Sequence, residues 1–500
     1  MEDRIAAIWK DLLKGAQFGT EDDFFDCGGD SLLAMQLMMR IESEFKTKVT
    51  LDNVLDAFTV SGIAKVLREI NGETAASAAS KPVRARVKSE GANEIACRLA
   101  DMDDVRGIWE VCSRAFAPYA HSSFEDFEEL CRYRWLNNPL RTADDPFGWV
   151  LEDNSGRIVG FHGLVPVRLW VGDRSVAAVS PTTWAADPGL GRAGLSLLST
   201  FLSWGKNRFL LNTTANAITS AMHESSNLGM KKIPLKDFDQ RLLWVLDFPA
   251  LVNWKLGQNG SPSIWRSIAR IAGTALAPFA IGNAGGLRAA LRARLRGMRI
   301  RFDCPPLEIA PVVHFGPDFD ALWNRLKHDH AVTIERSAAF LNWRHINPPH
   351  LLGRSYALAC RDKGELLGYI ALREPVTTAP GHFIVTDIFY DRARPDVLHN
   401  LMNAAFDFAV SKSASVIELF GFHPTVNREM LSQKPYVLRR SQLERIGRGD
   451  SLSHMLMGMT RSSRNVSSAT YWYRAPDAEL DHLCATGQWW PSGVDGDLNL

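Results

Sequence analysis

Apolar residues recur at intervals of three and four along the first 70 residues of the chain. The clearest positions are Ile5, Ile8, Trp9, Leu12, Leu32, Met35, Met39, Ile63, Val66 and Leu67. This interval places apolar side chains on one face of a helix, because an α-helix has about 3.6 residues per turn. The pattern therefore predicts a small helical bundle over residues 1–70.

The helical pattern stops at residues 71–93, which read NGETAASAASKPVRARVKSEGAN. A segment of small and polar residues cannot bury enough apolar surface to order itself. We therefore expect a flexible linker between the bundle and the rest of the chain.

An internal repeat follows this linker. The matching positions of the two copies are Trp135 and Trp343, Asn138-Pro139 and Asn347-Pro348, Gly156 and Gly364, and Gly160 and Gly368. The tryptophan and the last glycine are 25 residues apart in both copies. Gly156 and Gly364 stand where a hairpin would turn before an apolar strand. Several landmarks at one offset indicate a duplicated unit.

Each copy continues with the order strand, helix, strand, helix. The segments are 176–186, 194–206, 208–214 and 217–229 in the first copy, and 382–390, 396–410, 415–422 and 426–434 in the second. This order predicts two α/β lobes of similar build, over 94–250 and 306–500, the second with a C-terminal extension.

The two predicted lobes are joined by a basic helical connection over 251–305. Its arginines are Arg288, Arg292, Arg294, Arg296, Arg299 and Arg301. The apolar stretch before them is too interrupted for a membrane span, and we expect no membrane contact. We favour a solvated connection, and the alternatives are a docking face for the N-terminal bundle and a membrane-surface helix.

Composition is typical of a soluble protein of two or three domains, with 46% hydrophobic and 23% charged residues among 500. The opening MEDRIAAIWKDLL has no pattern of an export signal, so we expect a cytoplasmic protein. Seven scattered cysteines predict reduced, buried thiols rather than disulfides. No metal-binding spacing and no Gly-x-Ser-x-Gly elbow occurs, and we expect neither a metal nor a nucleic-acid partner.

Charge is distributed unevenly along the chain. Residues 1–70 hold 13 acidic and 8 basic residues, a net charge of -5, whereas the whole chain carries +1. The remainder therefore carries +6, and opposite charges favour contact between the two parts.

Asp30-Ser31 stands where a loop ends and an amphipathic helix is predicted to begin. A serine at this place could simply cap the helix. The run FFDCGGDSLLAMQL, however, resembles the signature of peptidyl carrier domains of nonribosomal peptide synthesis, over residues 1–70. The resemblance implies a four-helix bundle in which Ser31 bears 4'-phosphopantetheine, flanked by the matching Gly28, Gly29 and Asp30. A helix start suits a phosphodiester, because its N–H groups and positive dipole end attract anions.

The apolar residues after Ser31 allow two interpretations. In carrier domains this helix is the docking surface, which would include Leu32, Leu33 and Met35. The same side chains could instead belong to the core of the bundle.

The stretch WAADPGLGRAGLSLLSTFLSWGK, which joins a strand to a helix, resembles the GNAT superfamily of acyltransferases. The resemblance covers about residues 95 to 440 as a tandem pair of lobes. In that family the loop before the helix binds the pyrophosphate of coenzyme A, and the matching positions are Gly189, Gly191, Arg192 and Gly194. Pro188 departs from the usual spacing of this loop, so a glycine-rich turn without a ligand also remains open.

The corresponding stretch of the second copy, residues 395–402, has no glycine. We therefore expect the chemistry in the first lobe and a structural or acceptor-binding role for the second. The resemblance implies that an oxyanion donor comes from the strand backbone around Thr183, Trp184 and Ala185, with pantetheine between that strand and the next.

A general base is the remaining requirement for amide formation from a thioester. His223 with Glu224 is the first candidate, because that segment faces the thioester sulfur in the family, and His162 is the second. Asn212 and Asn216 could orient a substrate or form turns.

These features predict an acyltransferase of a natural-product pathway that acts on its own carrier arm. The Ser31 arm could donate an acyl or aminoacyl group to an amine, or hold an aminoacyl acceptor that receives an acyl group from acyl-coenzyme A. A catalytically inactive scaffold that presents the loaded arm to other enzymes is the alternative. All three require a phosphopantetheinyl transferase and a separate adenylation or acyl-activating enzyme, because no such domain is present in the sequence.

Overall fold

The structure is a computed structural model. It describes residues 1–49, 51–55, 57–72, 95–188, 190–215, 217–224, 228–234, 240–247, 250, 301–376, 380–420, 423–433, 435–439, 470–487 and 489–490. The predicted linker from residue 73 onward and residues 251–300 of the basic connection lie outside this range.

The N-terminal region is helical. Its helices are α1 (Glu2–Leu12), α2 (Ser31–Phe45), α3 (Leu51–Val54) and α4 (Val60–Gly72). The apolar faces predicted from the spacing lie inside, with Ile5, Trp9 and Leu67 almost completely buried. Helix α4 ends at Gly72, two residues inside the predicted linker. Met35 is only 1% exposed and belongs to the core.

The first sheet follows and consists mainly of residues from the first copy of the repeat. Its strands are β1 (Ala96–Leu99), β2 (Gly148–Glu152), β3 (Ile158–Val171), β4 (Arg174–Ala186), β5 (Phe209–Ala215) and β6 (Lys231–Lys232). The helices of this part are α5 (Val105–Ala115), α6 (Ala117–Ala120), α7 (Phe124–Trp135), α8 (Gly191–Trp204) and α9 (Ala217–Glu224). The predicted alternation of strands and helices is present.

The second sheet repeats this plan. Its strands are β7 (Gln240–Val245), β8 (Glu308–Pro311), β10 (Arg354–Asp362), β11 (Glu365–Glu374), β12 (His382–Tyr390), β13 (Val416–Phe420) and β14 (Tyr436–Arg439). The remaining α-helices of the described residues are α10 (Pro317–Leu326), α11 (Ala338–Leu341), α12 (Pro395–Ser411), α13 (Pro424–Leu431) and α14 (Ala478–Thr486). A helical N-terminal region followed by α/β sheets is therefore confirmed.

The two sheets exchange one strand each. β7 precedes the second copy in the chain, yet it inserts between β13 and β14 of the second sheet. Strand β15 (Thr470–Arg474) comes from the other end of the second copy and inserts between β5 and β6 of the first sheet. The predicted boundaries at 250 and 306 thus do not separate the strands of the two sheets.

Further contacts join the two copies of the repeat. Strand β9 (Val332–Ile334) pairs with β3 and with β16 (Trp489–Trp490). The Trp343 indole donates to the Tyr133 carbonyl at 2.9 Å and stacks on the Tyr133 ring. Stacked aromatic rings bury large apolar areas, so this contact stabilises the junction.

Candidate functional site

Asp30 caps helix α2, and Ser31 is its first residue. The Asp30 carboxylate accepts a hydrogen bond from the Leu33 N–H at 2.7 Å. This satisfies one of the amides that a helix start leaves open. The simple capping role considered for Ser31 is therefore filled by Asp30.

Two glycines shape the loop before this cap. Gly28 has a φ of 93°, a left-handed conformation that favours glycine. At Gly29 a Cβ would lie 2.3 Å from the Phe24 ring, which is fully buried. Both glycines are thus required by the local geometry of the loop that leads into α2.

The N-terminal bundle packs on the first α/β half. Helix α2 contacts α8 and α9, the helices that follow β4 and β5. At the start of α8, a Cβ on Gly191 would lie 2.8 Å from the side chain of Phe25. Phe25 and Leu33 join Leu190 and Ala193 in one apolar cluster across this contact. Helix α2 and the loop before it therefore pack on the helices that follow β4 and β5.

Strands β4 and β5 separate beneath this contact. They pair in parallel only at Ala178 with Phe209 and Val179 with Leu210, although both strands continue well beyond. The two strands therefore part at their carboxyl ends. In an open α/β sheet this is where ligands bind.

A β-bulge lies on the separated part of β4. The register with β3 shifts by one residue between the pairs His162–Trp184 and Gly163–Thr182. Thr183, at the shift, has a φ of 35°, which is unfavourable for a β-branched residue. Such strain is concentrated at functional sites, and a bulge redirects the backbone there. The predicted oxyanion-donor segment Thr183–Ala185 coincides with this feature.

His223 lies at the end of α9 beside strand β5. Its Nε2 is 2.9 Å from Nδ2 of Asn212, and its ring packs on Trp472 with centroids 5.4 Å apart. Burial lowers the pKa of His223 to about 4, so the imidazole is neutral near pH 7. The structure thus brings together His223 and Asn212, which the sequence singled out, with a tryptophan from the exchanged strand β15.

Several buried polar atoms near this opening have no hydrogen-bond partner among the described residues. They are Ser180 Oγ, His223 Nδ1 and Trp472 Nε1. Ser180 directly follows the last residue of β4 that pairs with β5. A buried polar group without a partner is costly, and it gains most from a polar ligand.

Tyr119 is a further residue that the sequence did not indicate. Its hydroxyl lies 3.5 Å from Oγ1 of Thr183, at the bulge, and burial raises its pKa. No local pattern marks Tyr119 or Trp472, because their positions depend on contacts with distant strands.

The other predicted site residues are scattered or lie outside the described part. His162 is packed between β3 and α8, edge-on to Phe201, and burial lowers its pKa to about 4. Glu224 is exposed at the end of α9. Gly194 is buried in α8. Gly189, Asn216 and the side chains of Ser31, Leu32 and Arg192 are outside the described residues.

The equivalent place in the second sheet is filled by the protein itself. β12 has a similar register shift, between Ala371 and Leu372 of its partner β11. Beside it, Asp387 accepts hydrogen bonds from Arg336 and from the Tyr369 hydroxyl. The following helix α12 starts at Pro395 with Asp396 in its first turn, bonded to Arg394. An acidic first turn disfavours an anionic ligand.

A cavity of about 560 Å³ lies elsewhere, between α12 and the segment before β8. Residues around it include Phe302, Leu307, Asn400 and Phe408. None of the predicted site residues lines it, so the opening between β4 and β5 remains the candidate site. No helix of the described ranges has the length and apolar character needed to cross a membrane.

Residues 3–67 match the family model of the phosphopantetheine attachment site. The N-terminal region is a phosphopantetheine carrier domain. Its relatives include a plipastatin synthase of Bacillus subtilis (strain 168), 44% identical over 68 residues, and bacitracin synthase 3 of Bacillus licheniformis, 37% identical over 67 residues. These matches cover 14% and 13% of the chain and only 3% and 1% of those synthases. The cofactor of this carrier domain is 4'-phosphopantetheine.

Solved structures resemble a larger part of the chain, but more distantly. A probable N-acyltransferase from Enterococcus faecalis V583 has a TM-score of 0.44 at 10% identity, covering 77% of this chain and 73% of its own. Saccharomyces cerevisiae N-myristoyltransferase with bound myristoyl-CoA has a TM-score of 0.41 at 10% identity, covering 72% and 86%. These values are too low to carry a functional conclusion, which must come from the geometry described above.

Proposed function

We propose that this protein is an acyltransferase that moves an acyl or aminoacyl group from a thioester on its own carrier domain to an amine. The observation that carries the proposal is the packing of α2, which begins at Ser31, on the two helices above the separated ends of β4 and β5. An arm attached to Ser31 would start from the domain that packs on these two helices. Tethering would hold it there at roughly millimolar effective concentration.

The start of α2 fits a phosphopantetheine attachment point. Asp30 already caps the helix, so Ser31 is not needed for capping. In the proposed scheme Ser31 bears the arm, which supplies an acyl group activated as a thioester. The amine nitrogen bonds to the carbonyl carbon while the C–S bond breaks, and the proton from the amine ends on the departing sulfur.

His223 is the proposed base for the attacking amine. It is neutral near pH 7, as a base must be. His223 can accept a proton at Nδ1 only in the tautomer that carries its hydrogen on Nε2. In that tautomer the Asn212 amide is turned so that its oxygen faces Nε2 and accepts the hydrogen bond from it. Asn212 thus orients the ring. Glu224 and His162 remain proposed secondary candidates.

The bulged backbone from Thr183 to Ala185 is the proposed oxyanion donor. The backbone is strained at Thr183, which lies beside the opening between β4 and β5. Strain at such a position supports a functional role for this segment. Ser180 and Trp472 would offer their buried polar atoms to the amide groups of the arm. The second copy would contribute strand β15 to the first sheet rather than carry chemistry.

The proposed partners follow from this scheme. A phosphopantetheinyl transferase installs the arm, and a separate adenylating or acyl-activating enzyme loads it. The acceptor is a small-molecule amine.

Mass spectrometry of the intact protein tests the proposal. Treatment with coenzyme A and a promiscuous phosphopantetheinyl transferase should add one phosphopantetheine mass to the wild type and none to Ser31→Ala. The loaded wild type should then lose its acyl group as an amide when candidate amines are added.

Two controls separate the alternatives. His223→Ala should be loaded normally but should transfer about a hundredfold or more slowly, since general bases contribute about 10² to 10⁴ in rate. Acyl gain by an aminoacyl-loaded arm from acyl-coenzyme A would instead establish the reverse direction. A thioester that no amine and no acyl donor changes would support the scaffold.

A further inference from the structure

A buried polar cluster lies where the two copies of the repeat meet. Its members are Tyr133 of α7, Arg373 of β11, and Arg344 and His345 of a single π-helical turn, Asn342–Ile346. We call this set the junction cluster. Tyr133 is 3% exposed, His345 is 1% exposed and Arg373 is fully buried. Polar groups of both copies are therefore closed off from bulk water here, and π-helical turns are frequent at functional sites.

Arg373 connects the members of the junction cluster. Its Nη2 donates a hydrogen bond to the Arg344 carbonyl at 3.0 Å, and its Nε donates to the Ser355 hydroxyl at 3.1 Å. Burial and the nearby charge of Arg344 lower the pKa of Arg373 to about 9, so its guanidinium is still charged near pH 7. Two arginine side chains in one buried place produce a positive potential, which favours an anion.

The other two side chains offer hydrogen-bond donors. Among the residues that the structure describes, no hydrogen-bond partner lies near either ring nitrogen of His345 or near the Tyr133 hydroxyl. Burial, followed by the charges of Arg373 and Arg344, holds the pKa of His345 well below its usual range, so the ring is neutral and carries one N–H. Tyr133 is close enough to Arg373 to influence its pKa. A buried donor without a partner is costly, so these side chains indicate a bound acceptor.

The carboxylate of Asp387 is bonded to a different arginine. It accepts hydrogen bonds from Arg336 at 3.0 Å and from the Tyr369 hydroxyl at 2.6 Å. It therefore neutralises the charge of Arg336. An acceptor that carries a negative charge would also be attracted by the guanidinium groups of the junction cluster, whereas a water molecule would gain less from them. The chemistry of the cluster therefore favours an anion over water.

We propose that the junction cluster binds one chloride ion, which accepts hydrogen bonds from the Tyr133 hydroxyl and the His345 N–H and faces the guanidinium of Arg373. A monatomic ion suits this place better than a carboxylate or a phosphate, because no member of the cluster is more than 6% exposed and a small ion needs the least space. The ion ties the first copy of the repeat to the second and so stabilises their junction. It depends neither on the arm nor on acyl transfer.

Thermal unfolding of the full chain tests for the ion. The midpoint is measured in sodium chloride, sodium bromide and sodium gluconate at one ionic strength, because gluconate is too large for a monatomic site. A ligand that binds only the folded state raises the midpoint as its concentration exceeds the dissociation constant. We expect chloride and bromide to raise it by about 3 °C over gluconate at about a hundredfold excess over that constant.

Tyr133→Phe is the test variant, because it removes the hydroxyl and keeps the ring that stacks on Trp343. Chloride should then need about tenfold higher concentration for the same rise, since a hydrogen bond to a charged group contributes about a factor of ten or more to binding. Tyr356→Phe is the matched control. Tyr356 follows Ser355 in β10, so its side chain points to the opposite face of the sheet, where it packs on Phe408 of α12. This variant should respond to chloride as the wild type does.

Crystals grown with sodium bromide locate the ion. We expect an anomalous difference peak within hydrogen-bond distance of the Tyr133 hydroxyl and the His345 ring, and a weaker one in crystals of Tyr133→Phe. Neither measurement involves acyl transfer, so its result is independent of the proposed function. A water molecule alone at this place, or a chloride response that Tyr133→Phe retains at full strength, would overturn the proposal.

Discussion

Burial gives His223 a pKa of about 4, well below the ordinary value of about 6.5. The proposed base is therefore already unprotonated near pH 7, and the rate should rise towards pH 8 with deprotonation of the amine substrate, whose pKa is about 7.7–8.0 for an α-amino group. Loss of activity caused by His223 protonation should appear only near pH 4.

Asn212→Asp should shift this low-pH loss of activity, the acid limb of the pH profile, to a higher pH. A carboxylate 2.9 Å from Nε2 would favour the protonated imidazole and raise the pKa of His223. We expect a shift of about one pH unit or more in the acid limb of kcat/KM, since an opposite charge at this distance commonly has such an effect. Asn212→Leu is the control and should lower the rate without this shift. An unchanged acid limb in Asn212→Asp would exclude His223 as the base.

His162 should make the fold sensitive to acid. Its folded-state pKa of about 4 lies below the unfolded value, so the unfolded chain binds more protons between these values. The contribution of neutral His162 to the free energy of unfolding is thus fully present above about pH 6.5. It decreases as the pH drops and is fully lost below about pH 4.

The variant His162→Phe tests this directly. Its free energy of unfolding should fall less than that of the wild type between about pH 7.5 and about pH 5, by roughly 2 kcal/mol. Urea unfolding at both pH values measures the difference, and any effect of the new side chain itself cancels in the comparison. Equal pH dependence of the two proteins would show that His162 is not buried as described.

At the scale of elements, a buried ion pair secures the exchanged strand β7. Arg241 of β7 lies 2.7 Å from Glu418 of β13, with both side chains at most 4% exposed. His382 Nε2 lies 2.9 Å from the other carboxylate oxygen. Removing one partner of a buried pair leaves a charge in a medium of low polarity.

Arg241→Met should therefore destabilise the second sheet by about 3–5 kcal/mol. The double variant Arg241→Met with Glu418→Gln should recover part of this loss, because the uncompensated charge is gone. Hydrogen exchange read by mass spectrometry should show faster exchange in peptides from β7 and β13. Slower or unchanged exchange in the single variant would contradict a stabilising role for the pair.

Local pattern predicted most of the elements but not their partners. The segment 382–390 was predicted as a strand and forms β12 with the same ends. QRLLWV and TYWYR, in contrast, are short apolar strands that would suit either sheet, so the exchange of β7 and β15 depends on long-range pairing. Trp472 was missed for the same reason, because its place beside β5 depends on long-range pairing. His223 was found because its helix α9 directly follows β5 in the sequence.

At the scale of the whole molecule, activity should depend on the fit between the carrier domain and the α/β region. The sequence predicted attraction between an acidic and a basic part, and the carrier resemblance implied a docking surface on the helix after Ser31. The structure adds the close packing of the Phe25 side chain on Gly191, a contact between residues far apart in the chain. Charge brings the two parts together, whereas this contact fixes how they meet.

Gly191→Ala should therefore slow acyl transfer while leaving the installation of phosphopantetheine unchanged. The new methyl group would overlap Phe25 at 2.8 Å, and relief of an overlap in a packed contact costs about 1–3 kcal/mol, equivalent to a roughly 5- to 150-fold loss of the docked population. Gly172→Ala also places a methyl group at a left-handed glycine but meets nothing within 4 Å, so it should leave transfer near the wild-type rate. Single-turnover mass spectrometry of loaded protein compares the two. Equal rates would mean that transfer does not use the docked arrangement.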